Sequence, residues 1–333
     1  MRAVVLVGGR GTRLQPLTDT VPKPMLPIGH RPMIERLLND LEHAGVTEAT
    51  LALGFRPEPF IEAFPDGRCG GVALRYAVEP EPLDTAGAIA FAARFSGIDD
   101  TFVVANGDVI SDLDIAELVR CHRSFGGRGT IHLTPVADPS AFGVVELDED
   151  GRVRRFVEKP APGETASNLI NAGTYVLDAS VLDLIAEHRR VSVERETFPV
   201  LVEAGELYGW ATDRYWLDSG RPELYLQANI DLLAGVRPGF PAGSIPAVAP
   251  GAVVDASARL DRSLVAAGAE VAAEAVLTAS VVLEGAVIEA GAVVNESIVM
   301  GRVGAAATIE RCVVGVDGVV APHSVVADER FPA

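Results

Sequence analysis

Aliphatic side chains in the last third of the chain recur at an interval that few folds can satisfy. Val248, Val265, Val282 and Val299 are 17 residues apart, and Val314 follows after 15. Within the intervals further aliphatics sit six apart: Val248, Val254 and Leu260, then Val265, Val271 and Leu277, then Val282, Ile288 and Val294. A helix repeats every ~3.6 residues and a strand every ~2, so neither explains the pattern. Three sides of about six residues, closing one triangular coil, do. The register predicts a hexapeptide-repeat β-helix of about five coils. The Pro/Gly-rich stretch Val236–Pro250 precedes it, which predicts two domains: residues 1–235, and residues 236–333 comprising a linker and the β-helix.

The first part has another texture. Short apolar runs (Ala3–Val7, Ala49–Leu53, Phe102–Ala105) alternate with segments of helical spacing (Met33–His43, Thr85–Phe95, Ile115–His122), while Val72–Val78 alternates as a strand does. This order predicts an α/β domain with a Rossmann-like, mostly parallel mixed sheet and helices on both faces. Further strands are expected at Thr130–Pro135, Gly143–Leu147, Val153–Val157 and Ala172–Leu177, with a hairpin turn over Asp148–Gly151. Helices are expected around Val181–Arg189 and over Glu223–Leu233.

The first strand runs directly into GGRGTRLQPLTDTVPKPMLP, residues 8–27. Gly8, Gly9 and Gly11 let the backbone turn sharply and bring N–H groups close to an anion. Two fixed cations follow, Arg13 and Lys23, the latter stiffened by Pro22 and Pro24. The arrangement suits a nucleoside triphosphate, although the spacing matches neither the dinucleotide-binding nor the P-loop fingerprint. A net charge of −18 makes these local cations stand out and argues against a nucleic-acid partner. Asn106-Gly107-Asp108 follows the strand Phe102–Ala105, placing Asp108 where ligands of open parallel sheets collect.

Residues 8–27, together with Glu158-Lys159-Pro160, Asn171-Ala172-Gly173 and Trp216-Leu217-Asp218-Ser219-Gly220, closely resemble the signature of the sugar-1-phosphate nucleotidyltransferases. The chain is most like the mannose-1-phosphate guanylyltransferase type, whose members pair this loop with a left-handed hexapeptide β-helix. The resemblance implies that a sugar-phosphate oxygen attacks the α-phosphorus of a nucleoside triphosphate and pyrophosphate leaves. Catalysis is then positioning and charge neutralisation, with no protein nucleophile. It implies Arg13 on the departing pyrophosphate, Lys23 on the α-phosphate, and nucleotide contacts from Gly8, Gly9, Gly11 and Thr12. Asp108 and Asp218 would together hold Mg2+. Asn106, Gly143, Glu158, Lys159 and Asn171 would bind the sugar phosphate.

Glu79, Asp84 and Thr85 fall in the segment corresponding to the base-reading stretch. A carboxylate at Glu79 suits the N1–H and N2–H₂ donors of guanine, which favours GTP. Asp84 departs from the family, where glycine is common, and reads equally well as the N-cap of the next helix. The same chemistry with ATP, UTP or dTTP, or with a glucose, heptose or cyclitol phosphate, stays open. A regulatory nucleotide-sugar-binding subunit is a further reading, but Arg13, Lys23, Asp108 and Asp218 are all present. An acetyltransferase function in the tail has little support, since its only histidine, His323, is expected at a solvated corner.

Cys69, Cys121 and Cys312 match no disulfide framework or zinc spacing. The N-terminal apolar run is too short for a signal peptide, and no apolar stretch approaches a membrane span. A cytoplasmic, soluble enzyme is expected, homo-oligomeric through the β-helix by resemblance.

Overall fold

The structure, a computed structural model, describes residues 1–9, 11–54 and 57–332, so Arg10 of the glycine-rich string lies outside the described residues. The chain forms two compact units: Met1–Gly9 with Ile34–Trp216, and Arg10–Met33 with Leu217–Ala333.

In the first unit four parallel strands lie side by side in the order Phe102–Asn106, Arg2–Leu6, Glu48–Leu53, Val72–Val78. The central residues of the first three, among them Ala3, Val4, Val5, Leu51, Ala52 and Phe102 to Ala105, are buried without alternation, while Val72–Val78 alternates. Parallel strands covered on both faces require such runs. Beyond Phe102–Asn106 the sheet turns antiparallel, through Leu169–Leu177 to Gly143–Leu147 and Val153–Glu158. Gly129–Pro135 also pairs with Leu169–Leu177, and Leu207–Ala211 runs parallel to it. Among the described residues the mixed sheet has ten strands. The turn after Asp148 forms the expected hairpin, with Gly151 N–H donating to Asp148 O.

Helix Asp84–Phe95 packs on Arg2–Leu6 and Glu48–Leu53, and its alanines Ala86, Ala88, Ala90, Ala92 and Ala93 are buried. Apart from Ile89, its buried positions are alanine or glycine, which lets it settle close to the sheet. Helix Ile115–Phe125 is capped by Asp114, which accepts from Glu117 N–H at 2.9 Å, and ends at Gly126 with φ 70°. The helix expected around Val181–Arg189 is instead a 3₁₀ segment, Ala179–Leu184. Val181, Leu182 and Ile185 are buried, but Glu187 to Arg190 are exposed and offer no apolar stripe to extend it. None of the helices among the described residues is long and apolar enough to cross a membrane.

In the second unit the β-helix appears in the expected register. Val248, Val265, Val282, Val299 and Val314 stack directly on one another. So do Val254, Val271, Ile288, Val303 and Val320, and Leu260, Leu277, Val294, Ile309 and Val326. The result is three parallel sheets of five strands each, as in the left-handed hexapeptide β-helix. A serine ladder runs inside one corner: Ser263, Ser280 and Ser297 each accept from the N–H of the next coil (Ser280, Ser297, Cys312) at 3.0–3.1 Å. Each hydroxyl also donates to the carbonyl two residues back. His323 is exposed at a corner with φ 60°, as expected.

Helix Pro222–Ala234 anchors the segment 27–33 in the same unit. Tyr225 OH donates to Pro27 O at 2.6 Å, Gly29 N–H donates to Asn229 Oδ1 at 2.8 Å, and Ser219 Oγ lies 3.1 Å from Met33 Sδ.

Candidate active site

The C-terminal ends of the four parallel strands gather the first unit's expected nucleotide residues. Gly8 lies beside Gly54 and Glu79: a Cβ built on it would be 3.4 Å from Gly54 N and 3.8 Å from Glu79 Oε1, ordinary contact distances. Gly9 continues with φ 124°. Glu79 is buried; its Oε2 accepts from Leu83 N–H at 2.9 Å. Burial pushes its carboxyl above the usual range, and the Leu83 bond works the other way.

Asp84 has φ 61°, with Oδ1 accepting the N–H of Thr85 at 2.8 Å. The left-handed conformation explains why glycine is the common residue here: aspartate is tolerated because its short side chain bonds locally. It is the first helical residue, and Leu83 occupies the N-cap. The Thr85 hydroxyl donates to Glu194 Oε2 and accepts from Val193 N–H, both at 2.8 Å. It therefore ties the helix start to the segment Val193–Thr197.

The sugar-phosphate candidates of this unit come together around an irregular stretch of Leu169–Leu177. Register slips between Asn171 and Tyr175, opening a bulge over Asn171-Ala172-Gly173. Asn171 Oδ1 accepts from Gly173 N–H at 3.0 Å, and its Nδ2 donates to Tyr175 OH at 2.9 Å. Gly173 has φ 82°, and a Cβ there would lie 2.6 Å from Asn106 Nδ2. Gly143 pairs with Glu158 across the hairpin, and a Cβ on it would press on Phe156 and Glu158 Oε2. Burial raises the Glu158 carboxyl, helped by the Glu194 charge and opposed by Lys159 and Arg195. Lys159 has φ 53°; its Nζ is 3.7 Å from Glu158 Oε1, and its N–H donates to Phe142 O. Non-glycine residues held in this conformation cluster at functional sites.

Sequence reasoning missed Glu194 and Tyr175. Glu194 is bonded to Thr85 and Ser192 and acts electrostatically on Glu158 and Tyr175. Its place depends on a long-range approach, and no spacing in the sequence signals it. The role of Trp216 was also invisible: its Nε1 donates to Ala172 O at 2.9 Å, and its ring meets Phe142 edge-on.

The second unit holds the two cations of the glycine-rich string, Arg13 and Lys23. Lys23 is only 6% exposed, and its Nζ lies 3.2 Å from Asp218 Oδ1. That same oxygen accepts from Gly220 N–H at 3.0 Å. Arg13 Nη2 is 3.9 Å from Asp218 Oδ2, with the Arg13 side chain 63% exposed. Gly220 lies close beneath the arginine: a Cβ there would be 2.6 Å from Arg13 Nη2, so a side chain would push the exposed guanidinium aside. Gly11, with φ 59°, turns the loop over Thr18, whose hydroxyl donates to Gly11 O at 2.9 Å. Thr12 opens the 3₁₀ turn Thr12–Leu14 that presents Arg13. Asp108 follows the strand Phe102–Asn106 in the first unit, and Asp218 lies in the second. No cluster of three or more His, Cys, Asp or Glu with metal-binding geometry occurs among the described residues.

Residues 2–235 match the family described as Nucleotidyl transferase. The chain is 44% identical over 238 residues to a mannose-1-phosphate guanylyltransferase of Mycobacterium tuberculosis, covering 71% of this chain and 66% of that one. It is 45% identical over 233 residues to a mannose-1-phosphate guanyltransferase of Candida albicans, covering 69% and 64%. The matches thus span just under two thirds of these relatives' length. Among solved structures, HddC from Yersinia pseudotuberculosis complexed with GMP-PN superposes with a TM-score of 0.57 at 29% identity, covering 68% of this chain and 97% of that one.

Proposed function

The chain belongs to the nucleotidyl transferase family, and on that premise we propose that it transfers a guanylyl group from GTP to mannose 1-phosphate, yielding GDP-mannose and pyrophosphate. The relatives named mannose-1-phosphate guanylyltransferase and the guanine-nucleotide complex of HddC support this base and sugar. The observation that carries the reading is the buried Lys23 ammonium, balanced by Asp218 with Arg13 on the other carboxylate oxygen. Cations held in place before substrate arrives cost no reorganisation when charge shifts on a phosphate.

In this reading the glycine backbone at Gly8, Gly9, Gly11 and Thr12 receives the triphosphate, Lys23 neutralises the α-phosphate, and Arg13 the departing pyrophosphate. Glu79 accepts from guanine, with Asp84 and Thr85 shaping the edge of the base pocket. Asn106, Gly143, Glu158, Lys159 and Asn171 orient the sugar phosphate, so that its oxygen meets the α-phosphorus in line.

In this reading Asp108 and Asp218 would hold a divalent cation, since carboxylates are the hard oxygen donors such an ion takes, with phosphate and water at its further positions. Mg2+ held there would neutralise charge on the phosphates. The catalytic domain is assigned to residues 1–235 and the tail to self-association, supported by the outward valines Val253, Val319 and Val325. The thiols of Cys69, Cys121 and Cys312, which form no disulfide, fit a reducing cytoplasm.

Pyrophosphate release is the test, with Mg2+ present and GTP, ATP, UTP, CTP and dTTP crossed against mannose and glucose 1-phosphates. Turnover confined to GTP and mannose 1-phosphate is expected. Turnover with another pair would keep the chemistry and overturn the base or sugar assignment. Nucleotide binding without turnover across a wider sugar panel would point to a regulatory subunit.

A further inference from the structure

The β-helix has one irregular corner. Between the stacked valines and the next strand, the successive corners contain four residues (Ala266–Ala269), four (Leu283–Ala286), two (Met300–Gly301) and four (Gly315–Gly318). This contraction is why the repeat shortens from 17 residues to 15. Gly301 sits so tightly under the next corner that a Cβ would collide with the carbonyl oxygens of Gly315 and Gly318.

The corner lying over the contraction is the one that touches the glycine-rich loop. A Cβ on Gly315 would lie 2.7 Å from Pro16 Cβ, 2.8 Å from Pro16 Cγ and 3.3 Å from Pro16 O. No side chain fits there, so the Pro16 ring closes directly on the Gly315 backbone. Next to it Arg330, in the last coil, donates from Nη1 to Gln15 O at 2.8 Å. Arg330 stacks on Val313, and the outward-facing residues below it on this face, Leu264, Val281, Ile298 and Val313, are all buried. The face ends in a charged donor where the loop passes.

Gln15 is two residues from Arg13, and the two are joined through a 3₁₀ turn in which Gln15 N–H bonds to Thr12 O and Leu14 N–H to Gly11 O. Leu14 and Leu17 on either side are fully buried. The Arg13 guanidinium is largely exposed and 3.9 Å from Asp218. Its reach is therefore set by where the backbone is pinned rather than by its own side-chain contacts.

We propose that the last coil of the β-helix is a positioning element for the phosphate loop, with Arg330 and Gly315 as positioning residues that fix the backbone carrying Arg13. The loop's role in binding triphosphate rests on the function proposed above. The pinning does not. The β-helix thereby enters the chemistry through the loop, beyond any part it plays in assembly.

The test uses the full chain and the variants Arg330→Ala, Arg330→Lys and Gly315→Ala. Amide hydrogen exchange over Gly11–Leu17 reads the pinning without any turnover. Arg330→Ala and Gly315→Ala should each speed exchange there by about tenfold, the scale of one lost hydrogen bond. Arg330→Lys, which keeps a cationic donor, should restore most of the protection. In the pyrophosphate assay the first two should lower kcat/KM for GTP about tenfold while KM for mannose 1-phosphate stays within about twofold. Unchanged exchange in both Arg330→Ala and Gly315→Ala would overturn the proposal. So would a loss shared equally by both substrates and tracking a lower melting temperature. If the wild-type protein turns over neither substrate, the exchange result decides the pinning alone, and the failure belongs to the proposed reaction.

Discussion

His132 provides a stability prediction that can be worked through from its surroundings. It lies on the strand Gly129–Pro135, 1% exposed, with Nε2 2.9 Å from Thr212 Oγ1 and its ring beside Trp210. Burial lowers its pKa from 6.5 to about 4. At about pH 8 the imidazole is neutral in both the folded and unfolded chain, so it contributes no pH dependence. Below 6.5 the unfolded chain takes up a proton that the folded chain refuses until about 4. Stability therefore falls with falling pH across that window, at up to ~1.4 kcal/mol per pH unit, reaching about 3 kcal/mol in total.

The comparison is with His132→Gln, which stays neutral and can still reach Thr212. Both tryptophans, Trp210 and Trp216, belong to the unit that holds His132, so urea unfolding followed by their fluorescence reports that unit. The stability difference between the two chains should be flat above about pH 7 and shift by about 3 kcal/mol against the wild type towards pH 4. His122 is also lowered by burial, but it is present in both chains and cancels. A difference that does not change between about pH 7 and pH 4.5 would refute the burial argument.

Replacing Lys23 by Ala removes the buried cation opposite Asp218 and should cost about 10²–10³-fold in kcat, measured by pyrophosphate release; a loss under tenfold would dismiss its role at the α-phosphate. Gly173→Ala forces a Cβ against Asn106 at a left-handed position and should destabilise by about 1–3 kcal/mol in urea titrations, with a raised KM for the sugar phosphate. An unaltered KM there would separate Asn106 from substrate binding. Glu79→Gln should erode the preference for GTP by at least about tenfold in competing-nucleotide assays, and a preserved preference would assign base reading elsewhere. Ser280→Ala leaves the Ser297 N–H buried without its acceptor and should lower stability by about 1–3 kcal/mol in calorimetry; no change would mean the ladder is not a stabilising element.

Much of the fold was legible because it rests on periodicity. The helix Met33–His43 and the strands Val72–Val78 and Gly143–Leu147 match their expected bounds, and the valine columns of the β-helix stack in the register that their spacing predicts. Where local pattern misled, tertiary burial was the reason. Val181, Leu182 and Ile185 have helical spacing, yet one 3₁₀ segment suffices to bury them. The bulge at Asn171–Gly173 carries no local signal, because it exists to bring Gly173 against Asn106 from another strand.

The sequence by itself determined the element order, the coil register, the glycine turn and the identity of the cations, since each depends on residue type and short-range spacing. Only the tertiary structure decided which charges meet. Lys23 and Asp218 are separated by 195 positions, Thr85 and Glu194 by 109, and Arg330 and Gln15 by 315. Such pairings are set by how whole layers pack, and a layer is chosen by the sum of its buried contacts rather than by the two residues that happen to touch.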